Sequence, residues 1–139
     1  AFDLASPVLE QLVAAELVPH TAAVAAERRQ TLTAARDHLL RRLAERIPDW
    51  YAAPPPGGLA LWVDLGAPLS SVLTIAAERH GVALAAGPRF GLDGAFERYL
   101  RLPYTLDVDV LDTAVDRLAA VYAGLAHEPA GPPSVRDVA

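Results

Sequence analysis

Arg101, inside the run Tyr99-Leu100-Arg101-Leu102-Pro103, is the residue whose type and setting point most directly to chemistry. Strand alternation puts Tyr99, Arg101 and Pro103 on one face and Leu100, Leu102 and Tyr104 on the other. The planar fork of a guanidinium matches a carboxylate with two parallel hydrogen bonds, and the pair gains strength where water is excluded. A cleft-facing strand arginine is therefore a candidate anion receptor. Spacing alone leaves two other readings open: an exposed strand arginine, or one paired with Asp or Glu inside the fold. The remaining candidates point to structure. His20, His38, His80 and His127 lack metal-ligand spacing, and no metal site is expected. His80 precedes Gly81 at an expected helix end, where a histidine can bond the last carbonyls. Ser70-Ser71 lacks the Gly-x-Ser-x-Gly elbow, and Gly87, Gly91 and Gly94 do not form a phosphate loop, so neither a hydrolase nor a nucleotide binder is supported. With no cysteine there is no disulfide, thiolate metal site or cysteine nucleophile. All 12 basic residues are arginine, and a chain without lysine cannot form an internal Schiff base. No residue is assigned a catalytic, cofactor-binding or metal-binding role.

The elements that must position Arg101 follow from periodicity. Ser6-Pro7 can start a helix running to about Leu17, with Val8, Leu9, Leu12, Val13 and Leu17 at helical spacing. Pro19 ends it, and Thr21 can cap a long second helix that Pro48 stops. The arginines of that helix (Arg28, Arg29, Arg36, Arg41, Arg42, Arg46) alternate with Glu27, Asp37 and Glu45, which reads as a solvated face without function. Ala52 to Gly58 holds three prolines and two glycines and reads as a connector. Leu59 to Leu65 reads as a strand with Leu59, Leu61, Val63 and Leu65 on one face and Trp62 and Asp64 on the other. Ser70 or Ser71 can cap a helix ending near Gly81, Val82 to Ala86 reads as a short strand, and Arg89 to Glu97 as a loop. Asp107 or Thr105 begins a last helix that reaches about Ala123. His127 to Ala139, with three prolines and no periodicity, is expected to be a disordered tail. The architecture expected is an α/β layer: a small sheet with helices packed mainly on one face, and the long second helix docked across it.

Composition bounds the rest. A chain of 139 residues, 53% hydrophobic and 21% charged, is large enough for one core and predicts a folded protein. A formal charge of -5 opposes attraction to phosphate backbones, and no basic run compensates beyond Arg28-Arg29 and Arg41-Arg42. No apolar run is long enough to span a bilayer and the start does not read as a signal peptide, so a cytoplasmic setting is expected, with no membrane partner.

Several segments, in order, carry a resemblance. Pro56-Gly57-Gly58-Leu59-Ala60-Leu61-Trp62-Val63 resembles the strand entry of the small C-terminal domain of class I/II aminotransferases, the pyridoxal-phosphate fold-type-I proteins. Gly81-Val82-Ala83-Leu84, then Gly87-Pro88-Arg89-Phe90, resembles the family's short strand and following loop, and Tyr99 to Tyr104 its substrate-arginine strand. The family loop usually reads Pro-Gly where this chain has Ala86-Gly87 before Pro88. The fuller wording from Asp93 to Tyr104, with Asp3 to Gln11, is similar to GntR/MocR-type transcription regulators, which join a winged-helix DNA-binding domain to an aminotransferase-like effector domain.

The resemblance implies that Arg101 grips the carboxylate of an amino-acid or amine ligand, with Arg89 and Phe90 as possible pocket-loop residues. It implies a fragment: residues 1–20 connecting from a missing large domain, 21–126 forming the small domain, and 127–139 the tail. It also implies a homodimeric parent that binds pyridoxal phosphate through a large-domain lysine, with DNA contacted only by a missing N-terminal domain. This chain alone is expected to bind no cofactor and to catalyse nothing. The other readings are a piece of a true aminotransferase, or a standalone interaction module that has lost its pocket.

Overall fold

Alternating apolar residues build a four-stranded sheet in the computed structural model, which describes residues 7–127. Its strands are β1 (Tyr51–Ala52), β2 (Ala60–Asp64), β3 (Ala85–Ala86) and β4 (Tyr99–Pro103), in the order β1-β2-β4-β3 with every neighbouring pair antiparallel. The helices are α1 (Val8–Leu17), α2 (Thr21–Arg46), α3 (Ser70–Arg79) and α4 (Val108–His127). Short 3-10 turns occupy Val18–His20 and Gly87–Phe90. Of the described residues, those up to Ala34 form one compact unit and those from Ala35 onward a second.

The first unit buries none of its described residues. Pro7 sits at the cap position of α1, with the backbone N–H of Gln11 bonding to its carbonyl, while Asp3 to Ser6 lie outside the described residues. Thr21 does not cap α2 as expected. Its hydroxyl donates instead to the carbonyl of Val18 at 2.8 Å, closing the 3-10 turn that joins the two helices.

The second unit holds the core. Leu61 and Val63 of β2 and Leu100 and Leu102 of β4 point to one face, where they are buried with Leu39, Leu43, Leu73, Leu111, Val115 and Leu118 from the helices. The opposite face carries Trp62 and Arg101, both exposed. The small α/β layer with helices on one face is thus as its periodicity predicts. Ala35, Leu39 and Leu43 are the residues of α2 that reach this core. The charged face of α2 is not merely solvated: Arg42 binds Asp112 and Asp116 of α4, Arg46 binds Asp116, and His38 Nε2 lies 2.7 Å from Asp112.

Three further details differ from expectation. A two-residue strand, β1, forms at the start of the connector, because Tyr51 and Ala52 pair with Asp64 and Val63. The strand expected over Val82–Ala86 narrows to Ala85–Ala86. The last helix extends past Ala123 to His127, where the tail was expected to begin, and residues 128–139 lie outside the described residues.

Candidate functional site

Arg101 stands at the centre of β4 and pairs in register with Trp62 of β2 on one side and Ala85 of β3 on the other. A central strand fixes its backbone on both sides, and strand alternation sends its side chain to the open face. Three aromatic residues gather around Trp62. Tyr99 stacks on it at 5.5 Å between ring centroids, while Phe90 and Phe96 meet it edge-on at 5.8 and 5.6 Å. The Arg101 guanidinium lies over the Phe90 ring, 5.9 Å from its centroid. Such a cation–aromatic contact at an exposed site is worth about 0.5–1 kcal/mol, enough to bias the guanidinium without neutralising it.

The charges on this face sort themselves. Arg98 is neutralised by Asp64, its Nε donating to Oδ1, and the amide of Gly66 donates to the same oxygen at 2.8 Å. These bonds, Arg98 first, hold the Asp64 carboxyl below the usual carboxylate range. Arg101 has no such partner: among the described residues no carboxylate pairs with it. That removes the reading in which Arg101 is consumed by an internal ion pair, and leaves an exposed, aromatic-flanked guanidinium that can accept an external anion.

The turn Gly87–Phe90 brings one of its two expected residues to Arg101. Phe90 touches it, whereas Arg89 is exposed and makes no ion pair or hydrogen bond among the described residues. The turn is anchored from α3, where the buried Ser70 Oγ accepts the N–H of Gly87 at 3.3 Å. Neither serine caps α3 as expected. Leu69 holds the cap position, and Glu97 takes the capping role from the loop, accepting the N–H and the hydroxyl of Ser71, each at 2.8 Å. A carboxylate suits the positive end of a helix dipole, and this one also fixes the loop that carries Phe96.

His80 behaves as its position predicts: its Nδ1 donates to the carbonyl of Ala76 at 3.0 Å. Beside it the helix closes with a Schellman motif, Val82 N–H to Ala77 O and Gly81 N–H to Glu78 O, which the φ of +73° at Gly81 permits. Trp62, Phe96, Tyr99 and Glu97 were not singled out by sequence reasoning. Parity places Trp62 and Tyr99 on polar faces of their strands, but only the β2–β4 register sets them beside Arg101.

No protein-family model matches the chain, and no curated protein is significantly similar to it. Solved structures are. Over 89% of this chain, the fold superposes with a TM-score of 0.79 and 30% identity on an alpha-aminoadipate aminotransferase from Thermus thermophilus, solved with N-(5'-phosphopyridoxyl)-L-leucine. Kynurenine aminotransferase from Pyrococcus horikoshii matches 72% of the chain at 28% identity and a TM-score of 0.66. The domain is aminotransferase-like. An archaeal alanine:glyoxylate aminotransferase shares the fold over 88% of the chain, with a TM-score of 0.74 at 21% identity. This aminotransferase-like domain covers 33%, 26% and 32% of those three chains, so it spans at most about a third of their length. The solved relatives imply pyridoxal phosphate in full-length proteins. The donor set here does not fit that cofactor on its own, because an imine needs a lysine and this chain has none.

Proposed function

We propose that this domain is the carboxylate-gripping part of a larger pyridoxal-phosphate protein of aminotransferase type, in which Arg101 binds the carboxylate of an amino-acid ligand. The observation that carries the reading is the unpaired, exposed Arg101 guanidinium on a central strand of an aminotransferase-like fold. The imine-forming lysine would come from a part of the parent outside this chain. Phe90, in contact with Arg101, would form one wall of the pocket that the rest of the parent completes; Arg89, without a contact to Arg101, is the weaker pocket-loop candidate. Closing the pocket over the ligand would exclude water and strengthen the charge pair.

The parent is read as a GntR/MocR-type regulator, cytoplasmic and homodimeric, on the wording of Asp93 to Tyr104 and Asp3 to Gln11. A second reading, a true aminotransferase, is favoured by the solved structures, since the three named above are aminotransferases. The cofactor-loaded parent separates the two: the regulator binds DNA in a ligand-dependent way with little turnover, the enzyme turns over with an amino acid and a 2-oxo acid. The coding sequence upstream of Ala1 gives the same distinction, a winged-helix segment before the large domain marking the regulator. For Arg101, amino-acid titration of the parent followed by cofactor absorbance should show affinity falling about tenfold to a hundredfold in Arg101→Ala, the range for a hydrogen-bonded ion pair. Partial recovery is expected in Arg101→Lys, which restores charge but not the fork. Unchanged affinity in Arg101→Ala overturns the assignment.

A further inference from the structure

Past Arg101, toward the end of β4, the β3–β4 ladder comes apart early. Ala85 pairs with Arg101, yet Val82 to Leu84 do not continue alongside Leu102 and Pro103. Pro103 has no N–H to donate, so the ladder loses a bond there. A cavity of about 520 Å³ opens in the gap, walled by Val82, Leu84, Leu102, Val110, Leu111 and Leu118. Its volume lies within the span typical of small-molecule sites.

Two charged residues of α4 also line it, Asp109 and Arg117. They are eight residues apart, about 12 Å along a helix. Arg117 Nη1 donates to the carbonyls of His80 and Gly81 at 3.3 and 3.4 Å, which holds the guanidinium at one end of the cavity. The approach is close enough that a Cβ at Gly81 would stand 2.9 Å from Nη1. No carboxylate pairs with Arg117 among the described residues, so its charge is unmet. The Asp109 carboxylate likewise has no hydrogen-bonding partner there.

We infer that this cavity binds an aliphatic monocarboxylate, its hydrocarbon chain between α4 and the end of β4 and its carboxylate on Arg117. The largely apolar walls shelter a hydrocarbon chain from water, and the one hydroxyl among them, that of Thr113, is spent on the Asp109 carbonyl, so a polar chain finds few partners. The anchored guanidinium supplies two-point recognition of a carboxylate. Asp109 at the far end repels a second carboxylate and any reversed binding, which gives a preference for one acid group over two. Neither Arg101 nor Trp62, Phe90, Phe96 or Tyr99 lines the cavity, so it stands or falls separately from the function proposed above.

The test is calorimetric titration of the full chain with octanoate, 1-octanol, octylammonium and octanedioate, with amide chemical shifts of Val110 and Leu118 locating the site. Octanoate should bind saturably, and the alcohol and the diacid about tenfold or more weaker. Arg117→Gln, an exposed substitution, should lower octanoate affinity by about the same factor, and Ala114→Trp should fill the cavity and abolish binding. Circular dichroism identifies any variant that fails to fold; if Ala114→Trp does, Arg117→Gln decides alone. Arg101→Ala should bind octanoate as the unaltered chain does. Absence of saturable octanoate binding, equal affinity for octanol, tighter binding of octylammonium, or an unchanged Arg117→Gln each overturns the proposal.

Discussion

A methyl group added at Gly87 would stand 1.9 Å from the carbonyl oxygen of Phe96 and 2.6 Å from that of Tyr99. Both are backbone atoms, so neither can swing aside as a side-chain tip would. Gly87→Ala should therefore push the turn carrying Phe90 away from the loop carrying Phe96, disturbing the surroundings of Arg101 at both places. Overpacking of this kind costs about 1–3 kcal/mol or more, which urea unfolding would read as a lower midpoint. Gly57→Ala is the control: nothing lies within 4 Å of a Cβ there and its φ is not positive, so its midpoint should scarcely move. Glu97 offers a second residue-scale test. Its two oxygens serve the N–H and hydroxyl of Ser71, and Glu97→Gln replaces a charged double acceptor by one oxygen and an NH2 that cannot accept. The loss expected is about 1 kcal/mol, that of a helix cap, with the Phe96 resonances shifting because the same loop carries both residues.

At the scale of elements, α2 and α4 are tied by charges as well as by their apolar faces. Asp112 accepts from His38 and from Arg42 Nε, and these partners, His38 first, hold its carboxyl below the usual carboxylate range. A carboxyl depressed on folding adds stability above its unfolded value, about 3.9, and loses it as pH falls through the lower folded value. The unfolding midpoint should thus drop as pH falls below about 4, and Asp112→Asn should flatten that drop while lowering the midpoint at pH 7. Added salt should narrow the difference at pH 7, since these groups are partly open to solvent. The α4 pattern of Leu111, Val115 and Leu118 and the pattern of Leu61 and Val63 in β2, continued by Leu65 just past it, were legible in sequence because one face of each is buried. Leu59, expected to share that face, lies before β2 begins and is exposed. The ties between elements were not legible: Arg42 reaches Asp112 across 70 positions, and Glu97 caps α3 across 26. Likewise Arg101 and Phe90 could be named from motif order, but the Trp62–Tyr99 stack beside them exists only through strand register. A two-residue strand such as β1 has no periodicity to detect; its partner creates it.

For the whole molecule, the uneven placement of apolar residues decides how the chain should behave. Among the described residues, every core residue lies at Ala35 or beyond, whereas Leu9, Leu12, Val13 and Leu17 fall along one side of α1 at helical spacing and all are exposed. Contiguous exposed apolar surface of this kind favours association in water, while the buried set supplies the cooperative unfolding of the second unit. Removing residues 1–20 should accordingly leave the urea midpoint and its slope unchanged, because the slope follows the surface exposed on unfolding and α1 contributes little. The same truncation should abolish concentration-dependent association in light scattering, as should Leu9→Gln with Val13→Gln in the full chain. A lowered midpoint in the truncated chain would mean that residues 1–20 add to the stability of the second unit. An unchanged midpoint with undiminished association would place the adhesive surface elsewhere, with the exposed aromatic face of Trp62, Phe90 and Phe96 as the next surface to alter.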